Sequence, residues 1–211
     1  TLFSEQIDAG IDPARETMLA SRSLAGYRHL AQAMGDTLPF RDGTFATIFS
    51  NSTLEHIPDP AAVIKEMSRV AQPGAACIIT VPSEHFPNYL LGSTVLNALH
   101  LRGPAARYGE FFNQRSRHIH IEPPATWRGW LEDAGLQVQS WRYYFSHRDS
   151  MIFDLSHYLC IPSLLTKALL GSWVLWPGKT RILPYRQALK PFSSPGNDAE
   201  GAYLLFHCRK P

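Results

Sequence analysis

The chain has 211 residues, 45% of them apolar and 18% charged. This composition excludes a disordered chain and favours one elaborated domain over two full ones. The formal net charge is only +2, with no basic stripe of the kind that tracks nucleic-acid phosphates.

The three cysteines (Cys77, Cys160, Cys208) are odd in number and lack CxxC spacing. They argue against a disulfide framework and a zinc site, so a reducing cytoplasm is the expected setting. The N-terminal TLFSEQIDAG has no basic region followed by a long apolar core, so no signal peptide is expected.

In chain order, Ile7–Asp12 is predicted as a strand and Arg15–Ser23 as a helix with Pro13 near its first turn. Tyr27–Met34 and Phe45–Asn51 read as further strands. Pro60–Ala71 sets Val63, Met67 and Val70 on one helical face and should stop at Gln72-Pro73-Gly74. Ala75–Val81 is then an apolar run suited to a strand covered on both faces. Strands alternating with helices predict a parallel sheet with crossover helices.

From Pro82 to Pro124 the regularity fails, and one or two short inserted helices are expected. Thr126–Ala134 reads as a helix stopped by Gly135, and Leu136–Phe145 as a strand. Ser146–Glu200 should be a long, mostly helical insertion, and Ala202–Arg209 a closing strand. Within it, Met151–Trp176 is interrupted by Asp154, His157 and Lys167. Its longest clean run falls short of the roughly 20 residues a spanning helix needs, which leaves an interfacial or substrate-facing role open.

Four pieces carry the chemistry. Gly10-Ile11-Asp12-Pro13 ends a strand with a carboxylate that can accept from both ribose hydroxyls or, equally, cap the next helix. Gly35-Asp36-Thr37-Leu38-Pro39-Phe40, followed by Asp42-Gly43-Thr44-Phe45, offers an acceptor for an exocyclic amine, or a polar turn. Ser50-Asn51-Ser52-Thr53-Leu54-Glu55-His56-Ile57-Pro58-Asp59-Pro60 sets small polar groups at a strand's carboxyl end, where open α/β sheets bind ligands. His56 there is either a loop anchor or a catalytic group. Arg69-Val70-Ala71-Gln72-Pro73-Gly74-Ala75 is the helix-to-strand turn.

The order and spacing of these pieces from Ile7 to Val81 resemble the type 11 branch of class I S-adenosylmethionine-dependent methyltransferases. The block Thr126–Phe145, with Trp127, Leu131 and Ala134-Gly135-Leu136, resembles that family's last helix and sixth strand. The resemblance implies an α/β, Rossmann-like sheet, mostly parallel with an antiparallel last strand and with helical insertions. It implies a core over 1–145 with an insertion at 84–125 and a closing strand at 201–211; the segment 146–200 lies outside the resemblance and is expected to be a helical insertion or a substrate cover. It also implies S-adenosyl-L-methionine as co-substrate. Asp12 would hold its ribose, Asp36, Thr37 and Leu38 would face its adenine, and Ser50 and Asn51 would lie near its methionine part.

The family's first, central strand and its glycine-rich turn should precede Thr1, and no GxGxG occurs in the 211 residues. The expectation is therefore a fragment, with the first central strand missing, that binds the co-substrate poorly.

Methyl transfer to oxygen gains from a general base, for which His56, His85, His118 and His120 are available. If Arg117–Ile121 is extended, alternation puts His118 and His120 on one face. No cysteine or carboxylate cluster accompanies them, and no metal is expected. The Phe, Tyr, Leu and Trp of the insertions suit an apolar or lipid-like small-molecule acceptor, or simply pack onto the core. Two other readings stay open: a non-catalytic methyltransferase-like binding or scaffold domain, and a peripheral membrane protein anchored through Met151–Trp176.

Overall fold

The computed structural model describes residues 6–22, 26–159 and 199–211. Its elements are β1 (Ile7–Asp12), α1 (Arg15–Arg22), β2 (Tyr27–Gln32), β3 (Phe45–Asn51), a single 3-10 turn (Leu54–His56), α2 (Pro60–Val70), β4 (Ala71–Pro82), α3 (Phe86–Tyr89), α4 (Leu91–Ala98), α5 (Arg102–Ser116), α6 (Pro124–Asp133), β5 (Gln137–Tyr144), α7 (His147–Leu159) and β6 (Tyr203–Arg209). They fall into two compact units. One comprises Thr1–Thr80, Pro124–Trp141 and Phe206–Pro211, the other Val81–Pro123 and Arg142–Leu205.

In the first unit β1 and β2 are parallel, with Ile7 opposite Tyr27 and Asp12 opposite Gln32. Gly10 lets the Tyr27 ring lie close, because a Cβ there would stand 2.8 Å from it and the ring would have to shift. β3 pairs in parallel with β4, and the order of the second sheet is β3-β4-β6-β5. β6 runs antiparallel to β4: Gly74 N–H donates to Lys210 O and Ser83 N–H to Ala202 O, both at 2.8 Å. Among the described residues no ladder joins β1 to β3. The sheet is thus divided where the resemblance places its first central strand, and Ile7, Ile11 and Phe49 are exposed on the strands either side.

The expected stop at Gln72-Pro73-Gly74 takes a different form. α2 ends at Val70, and the strand begins at once with Ala71. The register jumps from Phe45 opposite Ala71 to Thr47 opposite Ala76, so the tripeptide lies inside the strand as an irregular bulge. Pro73 has no N–H to offer the ladder and Gly74 takes φ +81°, both of which a bulge accommodates. α2 starts on Asp59, whose Oδ1 accepts from Ala62 N–H at 3.0 Å, with Pro60 at its first position. Its face Val63, Ile64, Met67 and Val70 is buried, as the helical spacing predicts. Cys77, Ile79, Trp127, Leu131, Leu136, Phe206 and Cys208 are also buried in this unit.

The second unit has three inserted helices between β4 and α6, where one or two were expected. Its core is Phe86, Leu90, Phe112 and Ala202, edged by Tyr89, Tyr108, Ile121, Phe145, Phe153 and Tyr203. α5 closes on Arg117 at φ +58°, a left-handed stop made without glycine. The insertion expected over Ser146–Glu200 is described only as α7 and the short stretch from 199, so the rest of that expectation lies outside the described residues. So does most of Met151–Trp176. No described helix is long and apolar enough to cross a membrane.

Candidate functional site

Asp12 sits at the carboxyl end of β1, and its Oδ1 accepts from Ala14 N–H at 2.7 Å. The capping contact weighed from the sequence is therefore made, and it engages one of the two carboxylate oxygens. Gln32, at the end of β2, donates from Nε2 to Pro13 O at 3.0 Å and ties this turn to the neighbouring strand.

Asp36, Thr37 and Leu38 lie in the loop after β2. The Thr37 hydroxyl donates to Asp36 Oδ1 at 3.2 Å, and Leu38 N–H donates to Glu66 Oε2 at 2.9 Å. Arg69 of α2 gathers the rest of the loop. Its Nε and Nη2 donate to Glu66 at 2.7 and 2.8 Å, and Nη2 also donates to Leu38 O at 3.1 Å. Nη1 reaches Phe40 O at 2.9 Å and Asp42 Oδ1 at 2.6 Å. Arg69's hydrogen bonds hold the Glu66 carboxyl down to about 2, and the same bonds push the guanidinium further up. Sequence reading took Arg69 only as part of a turn and passed over Glu66. The i,i+3 spacing of an acid and a base on one helix was the available signal.

Ser50 and Asn51 end β3, opposite Ile79 and Thr80 of β4. The Thr80 hydroxyl donates to Asn51 Oδ1 at 2.8 Å, and Ser52 N–H donates to Thr80 O at 2.9 Å. Ser52 has φ +47°, a left-handed conformation uncommon outside glycine. The 3-10 turn follows, with Leu54 and Glu55 fully buried and His56 partly exposed. Neither oxygen of Glu55 has a hydrogen-bond partner among the described residues, and His56 Nε2 lies 3.8 Å from Oε1. Burial pushes the Glu55 carboxyl up to about 7, against the pull of His56 beside it. Glu55 was passed over in the sequence because an acid in a polar loop normally faces water.

The other candidate histidines, His85, His118 and His120, belong to the second unit. His118 and His120 follow α5 and are half-buried, with Ile119 exposed between them, the alternation the sequence suggested. The His118 ring meets Phe86 edge-on at 5.0 Å, and His120 Nδ1 lies 3.7 Å from Glu122. His85 stacks on Tyr89 with centroids 5.5 Å apart.

The acceptors of the first unit suit a nucleoside: carboxylates at Asp12 and Asp36 can take hydroxyl and amine hydrogens. The family model described as a methyltransferase domain matches residues 8–140. Over 137 residues the chain is 30% identical to a ubiquinone biosynthesis O-methyltransferase of Pseudomonas paraeruginosa, covering 63% of this chain and 54% of that one. Over 72 residues it is 36% identical to an uncharacterized methyltransferase of Mycobacterium sp. (strain JLS), covering 34% and 28%. The chain thus spans about half or less of the length of these relatives. Among solved structures, a putative methyltransferase from Bacillus halodurans superimposes with TM-score 0.54 at 17% identity, over 96% of this chain and 82% of that one. A possible histamine N-methyltransferase from Thermotoga maritima gives TM-score 0.57 at 13% identity, over 97% and 73%. At such identities these structures speak for the fold alone. With parallel β1–β2 and β3–β4 ladders, an antiparallel β6 and the model matched over more than half its residues, the chain belongs to the methyltransferase-domain family with the Rossmann-like class I fold.

Proposed function

We propose that this chain takes part in S-adenosylmethionine-dependent methyl transfer to a small, apolar or lipid-like acceptor. The observation that carries this reading is the family match over residues 8–140, within which Asp12, Asp36 and Asn51 lie at or just past strand carboxyl ends. When bound, the co-substrate supplies a methyl group already activated by a sulfonium. The chain's own task is to bind, orient and handle a proton. In this reading Asp12 accepts from the ribose hydroxyls with the oxygen that Ala14 does not use. Asp36, Thr37 and Leu38 border the adenine, on a loop fastened by Glu66 and Arg69. Ser50 and Asn51 border the methionine part through backbone groups. His56, His118 and His120 are the proposed proton acceptors. The apolar acceptor is supported by the relatives named for ubiquinone biosynthesis and for tocopherol methylation. The segments 84–125 and 146–200 are proposed to serve that acceptor.

A second reading is a methyltransferase-like binding domain without turnover. It is favoured by the division of the sheet between β1 and β3 among the described residues. Calorimetric titration of S-adenosylhomocysteine into the 211-residue chain separates the two. Micromolar binding with 1:1 stoichiometry supports the first reading. Absence of binding overturns it for this chain and leaves the second.

A further inference from the structure

Strands β4 and β6 bring together two reactive side chains that lie far apart in sequence and that the proposed methyl transfer does not use. The strands are neighbours in the sheet, and backbone hydrogen bonds near both ends fix their register. Lys210 N–H donates to Ala75 O at 3.0 Å, and Ser83 N–H donates to Ala202 O at 2.8 Å. The steps from Ala75 to Ser83 equal those from Lys210 back to Ala202, so no bulge shifts the pairing between them. Two steps in from Ala75 and Lys210, Cys77 therefore stands opposite Cys208.

Burial agrees with that register. Cys77 and Ile79 of β4 are enclosed, as are Phe206 and Cys208 of β6, while His207 and Arg209 on the alternate positions are exposed. Directly opposed residues share one face of a sheet, so both thiols enter the same core. Burial raises both thiols, and a Cys77 thiolate raises Cys208 further, an effect that needs the two sulfurs close together.

Opposed residues of antiparallel strands have Cα atoms roughly 4.5–5.5 Å apart. A disulfide takes about 4.4–6.8 Å between Cα atoms. Both cysteines are free thiols, so the backbone already meets the requirement of a bond that is not formed. The enclosed thiols cannot meet an oxidant while the sheet is shut. When β4 and β6 are apart, a thiolate of either cysteine can attack oxidised glutathione, forming a mixed disulfide and releasing one glutathione thiolate. As the strands close, the second cysteine attacks the protein sulfur of that mixed disulfide and releases the other glutathione. Two cysteines lose two electrons and two protons, and one glutathione disulfide becomes two thiols. A close-packed core favours the internal bond over the bulky adduct.

We propose that Cys77 and Cys208 form a latent cross-strand disulfide site that closes when the chain opens and recloses in the presence of a small-molecule disulfide. The bond encloses more than half of the chain and fastens β6 to β4. It rests on the register of these two strands and does not depend on methyl transfer.

The test incubates the full 211-residue chain with oxidised glutathione in urea just below its unfolding midpoint, where molecules open and reclose repeatedly, and then removes the urea. Peptide mapping by mass spectrometry without reductant reads which of the three pairings among Cys77, Cys160 and Cys208 has formed. The expected product is a monomer two hydrogens lighter, linked from Cys77 to Cys208. It keeps the amide spectrum of the reduced chain away from β4 and β6, and its melting temperature rises by about 5 °C or more. Dithiothreitol reverses both the mass and the melting shift. Without urea the same link should form at least about tenfold more slowly, because opening limits it. A linkage through Cys160, a persistent glutathione adduct on Cys77 or Cys208, or thiols that stay reduced overturns the proposal. So does a Cys77–Cys208 product that loses the native spectrum or melts no higher than the reduced chain.

Discussion

Tyr108 places its hydroxyl 2.9 and 2.8 Å from the two carboxylate oxygens of Asp154, and that aspartate is fully buried. Gly92 N–H donates to Oδ2 at 3.2 Å, so a residue of α4, one of α5 and one of α7 meet on a single charge. The meeting depends on glycine, because a Cβ at position 92 would clash with the Tyr108 ring. Tyr108→Phe strips the buried carboxylate of its main donor and should cost about 2–4 kcal/mol in urea unfolding. Gly92→Ala should be at least as damaging. A Tyr108→Phe variant within about 0.5 kcal/mol of the parent would show that Asp154 is solvated by other means.

Glu55 should leave a mark on the pH dependence of stability. Its folded value, about 7, stands above its ordinary 4.5. The folded state therefore binds the proton more tightly, and the associated stability is fully present below 4.5 and lost as pH rises through 7. Replacing it by Gln removes the charge but keeps the shape. The stability of Glu55→Gln relative to the parent should rise between pH 4.5 and 7, by a total on the order of 3 kcal/mol. Thermal melts of both proteins across that window measure it, and a flat difference would refute the assignment.

The Glu66–Arg69 clamp predicts the opposite sign. Glu66 lies below its ordinary 4.5, at about 2, so its stabilisation is present above 4.5 and lost as pH falls through 2. Glu66→Gln should lose that acid sensitivity. It also weakens the acceptor of the Leu38 amide, so hydrogen exchange at Leu38 should speed up by about tenfold or more while the core amides of Ile79 and Phe206 stay slow. Exchange measured by NMR decides this.

Asp12 has two duties that one pair of substitutions separates. Asn keeps an oxygen for Ala14 N–H and removes the carboxylate, whereas Ala removes both. If Asp12 binds ribose hydroxyls, both variants should weaken S-adenosylhomocysteine binding about tenfold or more, and only Asp12→Ala should also lower stability, by about 1 kcal/mol. Calorimetry and melting temperature read the two effects independently. Unchanged binding in Asp12→Asn would confine the residue to its capping role.

The two thiols buried among the described residues, Cys77 and Cys208, give a reactivity prediction. Burial pushes Cys77 up to about 11 and Cys208 up to about 12, and both are fully enclosed. Neither supplies much thiolate at neutral pH. Their modification by a thiol reagent should track global unfolding and accelerate in denaturant with the same midpoint as the loss of helix. Rapid labelling of Cys77 or Cys208 in the native state would contradict the packing of β4 and β6 around them.

What the sequence determined by itself was local. Strand β3 falls on Phe45–Asn51 as predicted, α2 buries Val63, Met67 and Val70, and Asp12 ends its strand, because side-chain period and capping chemistry operate over a few residues. Tertiary structure decided what depends on partners far along the chain. Pro73 and Gly74 read as a terminator, yet pairing with β3 and the Gly74–Lys210 contact turn them into a strand bulge. Thr80 reaches Asn51 across 29 residues, Tyr108 reaches Asp154 across 46, and Tyr143 reaches Glu84 across 59. No periodicity encodes such distances. Whether a carboxylate ends up solvated, like Asp42, or buried, like Glu55 and Asp154, is settled only when the chain folds around it, since burial is a property of the packed neighbours rather than of the residue.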